Sequence, residues 1–287
     1  MASMRDIKRR KSSIQSTQQI TKAMKLVSTV KLQRARADAE RSQKYFKAMF
    51  DTVNNILSRV GQVDHKFLTP GREGKKAVVL ISSNRGLAGG YNSNVSKLVT
   101  QNEEFTPENT LIYAVGNKGR EILSRKGYEI KEELPEVIEA PVYTDAMLLT
   151  ERMLASFEEG EISEIYVAYT SFKNTVSHVP TLLKLLPVEK KEGEEVELDD
   201  KQAQMNFEPE DTEALDMIIP KYIASLIYGG LVDAVASENG ARMQAMDNAT
   251  SNAEEMINDL GLKYNRARQG SITQELTEII AGAEALG

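Results

Sequence analysis

Met4 to Val60 reads MRDIKRRKSSIQSTQQITKAMKLVSTVKLQRARADAERSQKYFKAMFDTVNNILSRV. It contains no Pro and no Gly, and Lys, Arg, Gln, Ala and Leu dominate it, so the stretch predicts one uninterrupted helix. At the α-helical rise such a helix reaches about 85 Å. Its apolar positions are sparse at first (Ile7, Ile14, Ile20, Met24, Val27). They then fall three and four apart at Phe46, Met49, Val53, Ile56 and Val60, the spacing of a seam for a partner helix. Gly61, Pro70, Gly71 and Gly74 end it.

The partner is found at the other end of the chain. From Asp211 to Leu286 a second helical tract places Met246, Ala249, Ala253, Met256, Leu260, Tyr264 and Ala267 three and four apart. Pro220 is expected to kink it or mark its start, and Gly229, Gly230, Gly261, Gly270 and Gly282 each weaken it by about 1 kcal/mol relative to Ala. A chain that returns after a compact middle makes the two helices antiparallel. Setting Val60 beside Leu215 puts Met24 near Ser251 and Met4 near Ser271. The second helix then outruns the first, yet keeps an apolar stripe at Ile272, Leu276, Ile279, Ile280 and Ala283 that something else must cover.

Between the helices the period changes. Ala77 to Ser82, Thr110 to Val115 and Ile165 to Ser171 read as strands, Val179 to Val188 as a further one, and Tyr91 to Gln101, Lys118 to Lys126 and Thr144 to Phe157 as intervening helices. The expected fold is α/β plus a long antiparallel coiled coil, with a small Rossmann-like parallel sheet as the central domain. Its parts are an N-terminal helix over 1–60, the α/β domain over 75–188, an exposed acidic loop over 189–210 and a C-terminal helix over 211–287.

Composition narrows the chemistry. The 287 residues are 41% hydrophobic and 27% charged, too apolar for a disordered tail and too polar for a membrane protein, and no run of about 18 apolar residues predicts a spanning helix. With no Cys and only His65 and His178, thiolate and three-histidine metal sites and a cysteine nucleophile are excluded. Neither histidine has the company of a catalytic triad, and both read as surface or turn residues. The net charge of −6 hides an asymmetry: residues 1–36 hold ten Lys/Arg against Asp6 alone. That end calls for an acidic partner, or follows a phosphate backbone in the alternative reading as a nucleic-acid-binding or scaffold coiled coil.

The turn Asn84–Gly90 (NRGLAGG) stands between a strand and a helix, where phosphates are cradled elsewhere, but neither G-x-G-x-x-G nor G-x-x-x-x-G-K-[ST] occurs in the chain. It reads as a tight turn that needs positive φ. Glu275 and Glu278, three apart, read as a solvated helix face rather than an acid/base pair. No catalytic, cofactor or metal residues are expected.

The residues ITQELTEIIAGA (Ile272–Ala283), ITKAMKLVS (Ile20–Ser28), SENGARMQAM (Ser237–Met246) and NRGLAGGYN (Asn84–Asn92) together resemble the γ-subunit family of the F-type ATP synthases, in its bacterial form. The similarity runs along nearly the whole chain, and the inserted cysteine pair of the light-regulated plastid form is absent.

The resemblance implies a rotor with no catalytic residues of its own. Its two terminal helices turn inside a hexamer of α and β subunits, and its α/β domain sits with the ε subunit and the c-subunit ring on the cytoplasmic face of the cell membrane, which it meets only through the complex. It further implies partner contacts at Lys22, Met24, Lys25, Arg242 and Met246 near the lever loops of β, and at Arg268, Gln269, Thr273 and Glu275 higher up. Ile272, Leu276, Ile279 and Ile280 become the bearing surface inside an apolar sleeve. No nucleic acid is expected as a partner.

Overall fold

A computed structural model describes residues 4–59, 65–69, 73–188 and 211–284. The order is α1 (Met4–Arg59), β1 (Lys75–Ile81), α2 (Tyr91–Thr100), β2 (Thr110–Val115), α3 (Asn117–Arg125), β3 (Glu129–Glu133), α4 (Tyr143–Glu158), β4 (Ile162–Phe172), β5 (His178–Leu186) and α5 (Asp211–Glu284). The expected acidic loop over 189–210, the register anchor Val60 and the helix terminators Gly61, Pro70 and Gly71 lie outside the described residues, as do the side chains of Phe46 and Ile56. The chain divides into two compact units, residues 30–241 and residues 1–29 with 242–287.

In the first unit the strand order is β3-β2-β1-β4-β5. β1 pairs in parallel with β2 and β4, β2 with β3, and β5 closes the other edge antiparallel to β4. Two strands depart from the sequence reading. β3 was not foreseen, because Glu129–Glu133 carries one apolar residue, Ile130; as an edge strand it needs little burial, and its charges keep the edge from pairing further. β5 reverses direction because a short hairpin joins it to β4, with Lys173 N–H and Asn174 N–H both donating to Ser177 O.

The period of two sorts the central strands into two faces. Val79, Ile81, Leu111, Tyr113, Val115, Ile165 and Val167 pack under α4 and α5, joined by Phe67 and by Val53 of α1. Val78, Leu80, Ile112, Ala114, Tyr166 and Ala168 pack under Val95 and Val99 of α2 and Leu123 of α3. The stretch of α5 that covers the sheet is buried at Leu215, Ile219, Ile223, Ile227, Leu231 and Ala234. It explains a departure from the expected absence of any spanning-type run. α5 does contain a window long and apolar enough to cross a membrane by length and composition, and half of that window is buried within the protein, as befits a core helix. Pro220 sits inside α5 rather than at its start. Burial of Ile219, Tyr222 and Ile223 on either side holds the turn despite the missing N–H.

At the sheet's far end Glu164 of β4 lies between Lys184 (3.0 Å) and Lys76 (3.1 Å) and accepts the Tyr166 hydroxyl. Burial pushes its carboxyl up, but the hydrogen bonds from Lys184 and Lys76 outweigh this and hold it below the ordinary range. A depressed acid stabilises the fold above its unfolded value and loses that contribution as pH falls through its folded one. Glu164→Gln is expected to cost about 1 kcal/mol at pH 7. The gap to the unsubstituted chain should close below pH about 4, read from urea midpoints across pH.

In the second unit α1 and α5 run antiparallel. Thr21 and Thr250 meet at 2.8 Å between their hydroxyls, Lys25 Nζ meets Asp247 Oδ1 at 2.5 Å, and a Cβ on Gly261 would sit 3.5 Å from Lys11 Nζ. These three contacts agree on one register, and it differs by one helical turn from the expected one: Met24 is level with residues 247–248 rather than with Ser251. The α1 seam passes through the small polar residues Thr21 and Ser28, both buried, so Ile20 and Val27, each one residue away, are 58% exposed and not in the seam. On α5 the seam runs Met246, Ala253, Ile257 and Leu260. Met256, expected in it, is 54% exposed, because between Ala253 and Leu260 the helix presents the fourth residue, not the third. Ala253→Leu is accordingly expected to destabilise this unit by about 1–3 kcal/mol. Met256→Gln should change it by less than about 0.5 kcal/mol, both by thermal melting of the helical signal.

Candidate partner-contact faces

Arg268 is level with Met4 in the observed register, so beyond it no helix among the described residues lies beside α5. Ser271 is half-buried and every described side chain after it is exposed. Among them Ile272 (49%), Leu276 (55%), Ile279 (67%) and Ile280 (58%) form a stripe four, three and one residues apart. At 100° per residue this stripe is rotated roughly a third of a turn from the seam line through Leu260 and Ala267. The seam line itself continues into Gln274, Glu275 and Glu278, which are polar. The stripe is therefore a new face that begins where α1 ends. Helix hydrogen bonds tie its neighbours: Thr273 Oγ1 donates to Gln269 O (2.9 Å), Gln274 Nε2 to Glu278 Oε1 (2.9 Å) and Ser271 Oγ to Glu275 Oε1 (3.4 Å). Arg268 and Gln269 are exposed side by side.

The other expected contacts gather near the Thr21–Thr250 level. Lys22 is exposed; Met24 and Arg242 are half-buried. Lys25 is held by Asp247, and Met246 is only 5% exposed, so its side chain belongs to the seam and supports the face from behind. Asp247 escaped the sequence reading. The signal that finds it is charge: an acid facing an almost acid-free helix, visible once the register is right.

The Gly-rich turn spends its polar groups on neighbouring segments of the chain. Leu87 (φ 65°) and Gly89 (φ 58°) take the left-handed conformations. Asn84 Nδ2 donates to Pro135 O (2.7 Å) and its Oδ1 accepts Asn117 N–H (3.1 Å); Asn92 Oδ1 accepts Ser83 N–H (2.9 Å). Tyr91 is buried and its hydroxyl donates to Ala234 O of α5 (3.2 Å), across the mouth where an α/β sheet binds ligands. Among the described residues no group of three or more His, Asp or Glu is placed to hold a metal.

The histidines, read as surface or turn residues, are more enclosed than a surface position allows. His65 is buried in the 65–69 turn against Phe67, with Nε2 3.4 Å from Asp216 Oδ1. Beside it Lys66 bridges Glu158 (2.9 Å) and Asp216 (3.1 Å); the Glu158 bond and then Asp216 hold its ammonium above the ordinary range against the opposing effect of burial. His178 packs so closely on α5 that a side chain on Gly240 would strike its Nε2, and burial pushes its pKa down.

The family model described as ATP synthase matches residues 3–286. The chain belongs to the ATP synthase γ family. It is 62% identical over 291 residues to the ATP synthase gamma chain of Lachnoclostridium phytofermentans, covering 100% of both chains. It is 40% identical over 299 residues to the sodium ion specific gamma chain of Acetobacterium woodii, covering 99% of this chain and 98% of that one. Among solved structures, a chain of the Euglena gracilis mitochondrial ATP synthase OSCP/F1/c-ring assembly shares the fold with a TM-score of 0.71 at 18% identity, over 99% of this chain and 94% of that one. A chain of the rotor of the same organism's enzyme gives 0.65 at 16%, over 94% and 98%. As a γ chain this protein is one part of a membrane-bound ATP synthase, and the scaffold and nucleic-acid readings fall away.

Proposed function

We propose that the chain is the central rotor of a proton-translocating F-type ATP synthase. It performs no bond chemistry; it couples rotation to the catalytic β subunits by presenting a different face to each. The observation that carries this is the exposed apolar stripe of Ile272, Leu276, Ile279 and Ile280, which starts where α1 ends and which α1 cannot cover. A sleeve formed by the α and β subunits fits it, with Arg268, Gln269, Thr273 and Glu275 touching loops at its lower rim. Lys22, Met24, Lys25 and Arg242, backed by Met246, meet the acidic levers of β. The ε subunit and the c ring meet the sheet unit, so the protein is peripheral on the cytoplasmic face of the cell membrane. As each β subunit meets a new face, the balance between its open and closed forms shifts, and nucleotide affinity follows.

The absence of cysteine supplies the test. Ser124, exposed on α3 of the sheet unit, is replaced by Cys, a bead is attached, and the full chain is assembled with α and β subunits under ATP. Stepwise rotation in one direction is expected. A hexamer that hydrolyses ATP with the labelled chain firmly bound but never turning it overturns the rotor reading.

A further inference from the structure

We propose that the hydroxyl pair Thr21–Thr250, with the Lys25–Asp247 ion pair one turn along, fixes the axial register of α1 against α5, and that these are positioning residues of the paired helices. The apolar residues cannot do this alone. In the observed register Ile7 is level with Tyr264, Ile14 with Ile257 and Gln18 with Ala253. Sliding α5 by one layer sets Ile14 beside Leu260 or Ala253 and Ile7 beside Ala267 or Leu260, so apolar residues still face apolar residues. That near-equivalence leaves apolar spacing by itself unable to choose between registers one turn apart.

The polar residues break the tie. Thr21 is 8% exposed, and its hydroxyl lies 2.8 Å from that of Thr250. Each hydroxyl is also within bonding distance of a carbonyl of its own helix, Gln18 O at 3.0 Å and Met246 O at 2.7 Å. One hydroxyl therefore donates to its own backbone and accepts the hydrogen of the other, and the single proton on each is used. In either slipped register Thr21 faces Ala253 or Met246, and Thr250 faces Gln18 or Lys25. The bond between the helices is lost and a buried acceptor is left without a donor. Asp247 loses Lys25 in the same movement. A buried polar pair that selects one alignment among several apolar ones is an established device of paired helices, obtained at some cost in stability. The lock belongs to the chain itself and does not depend on which partners surround the rotor.

The full-length cysteine-free chain permits a direct reading. Ile14→Cys is combined in turn with Ile257→Cys, which is level with it, and with Ala253→Cys or Leu260→Cys, which come level only after a slip. Intrachain disulfide formation under diamide is timed by gel mobility. In the chain with its threonines the 14–257 bridge is expected to form at least about tenfold faster than the other two. Adding Thr21→Val, Thr250→Val and Lys25→Gln is expected to reduce that preference by about fivefold or more while the helical content stays the same, since paired apolar replacements of like shape keep the packing. An undiminished preference in the folded variant overturns the proposal. Should the triple substitution fail to fold, Thr250→Ser and Thr250→Ala decide it: Ser, which keeps the hydroxyl, retains the preference and Ala loses it, and equal behaviour of the two overturns it.

Discussion

Gly116→Ala is expected to destabilise the sheet unit by about 3 kcal/mol or more, a large part of the stability of an ordinary domain. Gly116 caps α3 at φ 91° and ψ 143°, a conformation open essentially to glycine alone. A Cβ there would also strike the carbonyl oxygen of Ser82 at the end of β1. That carbonyl cannot retreat freely, because Ser82 N–H donates to Val115 O (2.8 Å) and its hydroxyl accepts Gly119 N–H (2.9 Å). The whole β1–β2 edge would have to move. Gly127→Ala is the matched comparison: Gly127 has φ 86°, but a Cβ there meets nothing within 4 Å. It should cost only the backbone term, about 1 kcal/mol. Equal shifts of the urea midpoint in the two variants would show that the clash with Ser82 contributes nothing.

The same geometry explains what was legible beforehand. The apolar cores of β1, β2 and β4 announce themselves because strands covered on both faces are apolar without interruption, and the alternation with helices implies the parallel pairing. Glu129–Glu133 gave no such signal, since an edge strand needs only Ile130 to face the core. The seam was misplaced at Met256, and its course along the sparse first half of α1, beside the exposed Ile20 and Val27, gave no apolar signal for a related reason. A close helix pair prefers small residues, and Thr21 and Ser28 do not stand out in a search for large apolar ones, whereas Ala253, read in the seam, is buried there. The turn at His65 was legible but its burial was not, because that burial comes from Phe67 nearby and Asp216 far along the chain. Of the candidate faces, the apolar stripe was visible as a pattern, whereas its rotation away from the seam depends on the register and needed the structure.

That rotation shapes the largest functional effect expected. Leu276→Gln with Ile279→Gln should leave the free chain's stability unchanged within about 0.5 kcal/mol, since both side chains already face water and Gln is a good helix former. In the assembled enzyme the same change removes two side chains from an apolar sleeve. If the sleeve covers the half of each that the free chain exposes, the loss is about 1–1.5 kcal/mol per residue. Together this is roughly a 30- to 150-fold faster release of the chain from the α/β hexamer. Coupled ATP turnover should fall with it. Glu278→Gln, on the polar line that continues the seam, is the contrast: it lies on the same helix between the same neighbours and removes a charge but no apolar area. If Glu278→Gln loosens the chain as much as the double substitution does, the stripe is not the bearing surface, and a sleeve that grips the helix evenly on all sides takes its place. If only the double substitution acts, the apolar face that begins where α1 ends is the part the stator holds, and the third of a turn between stripe and seam becomes the offset between how the rotor is built and how it is gripped.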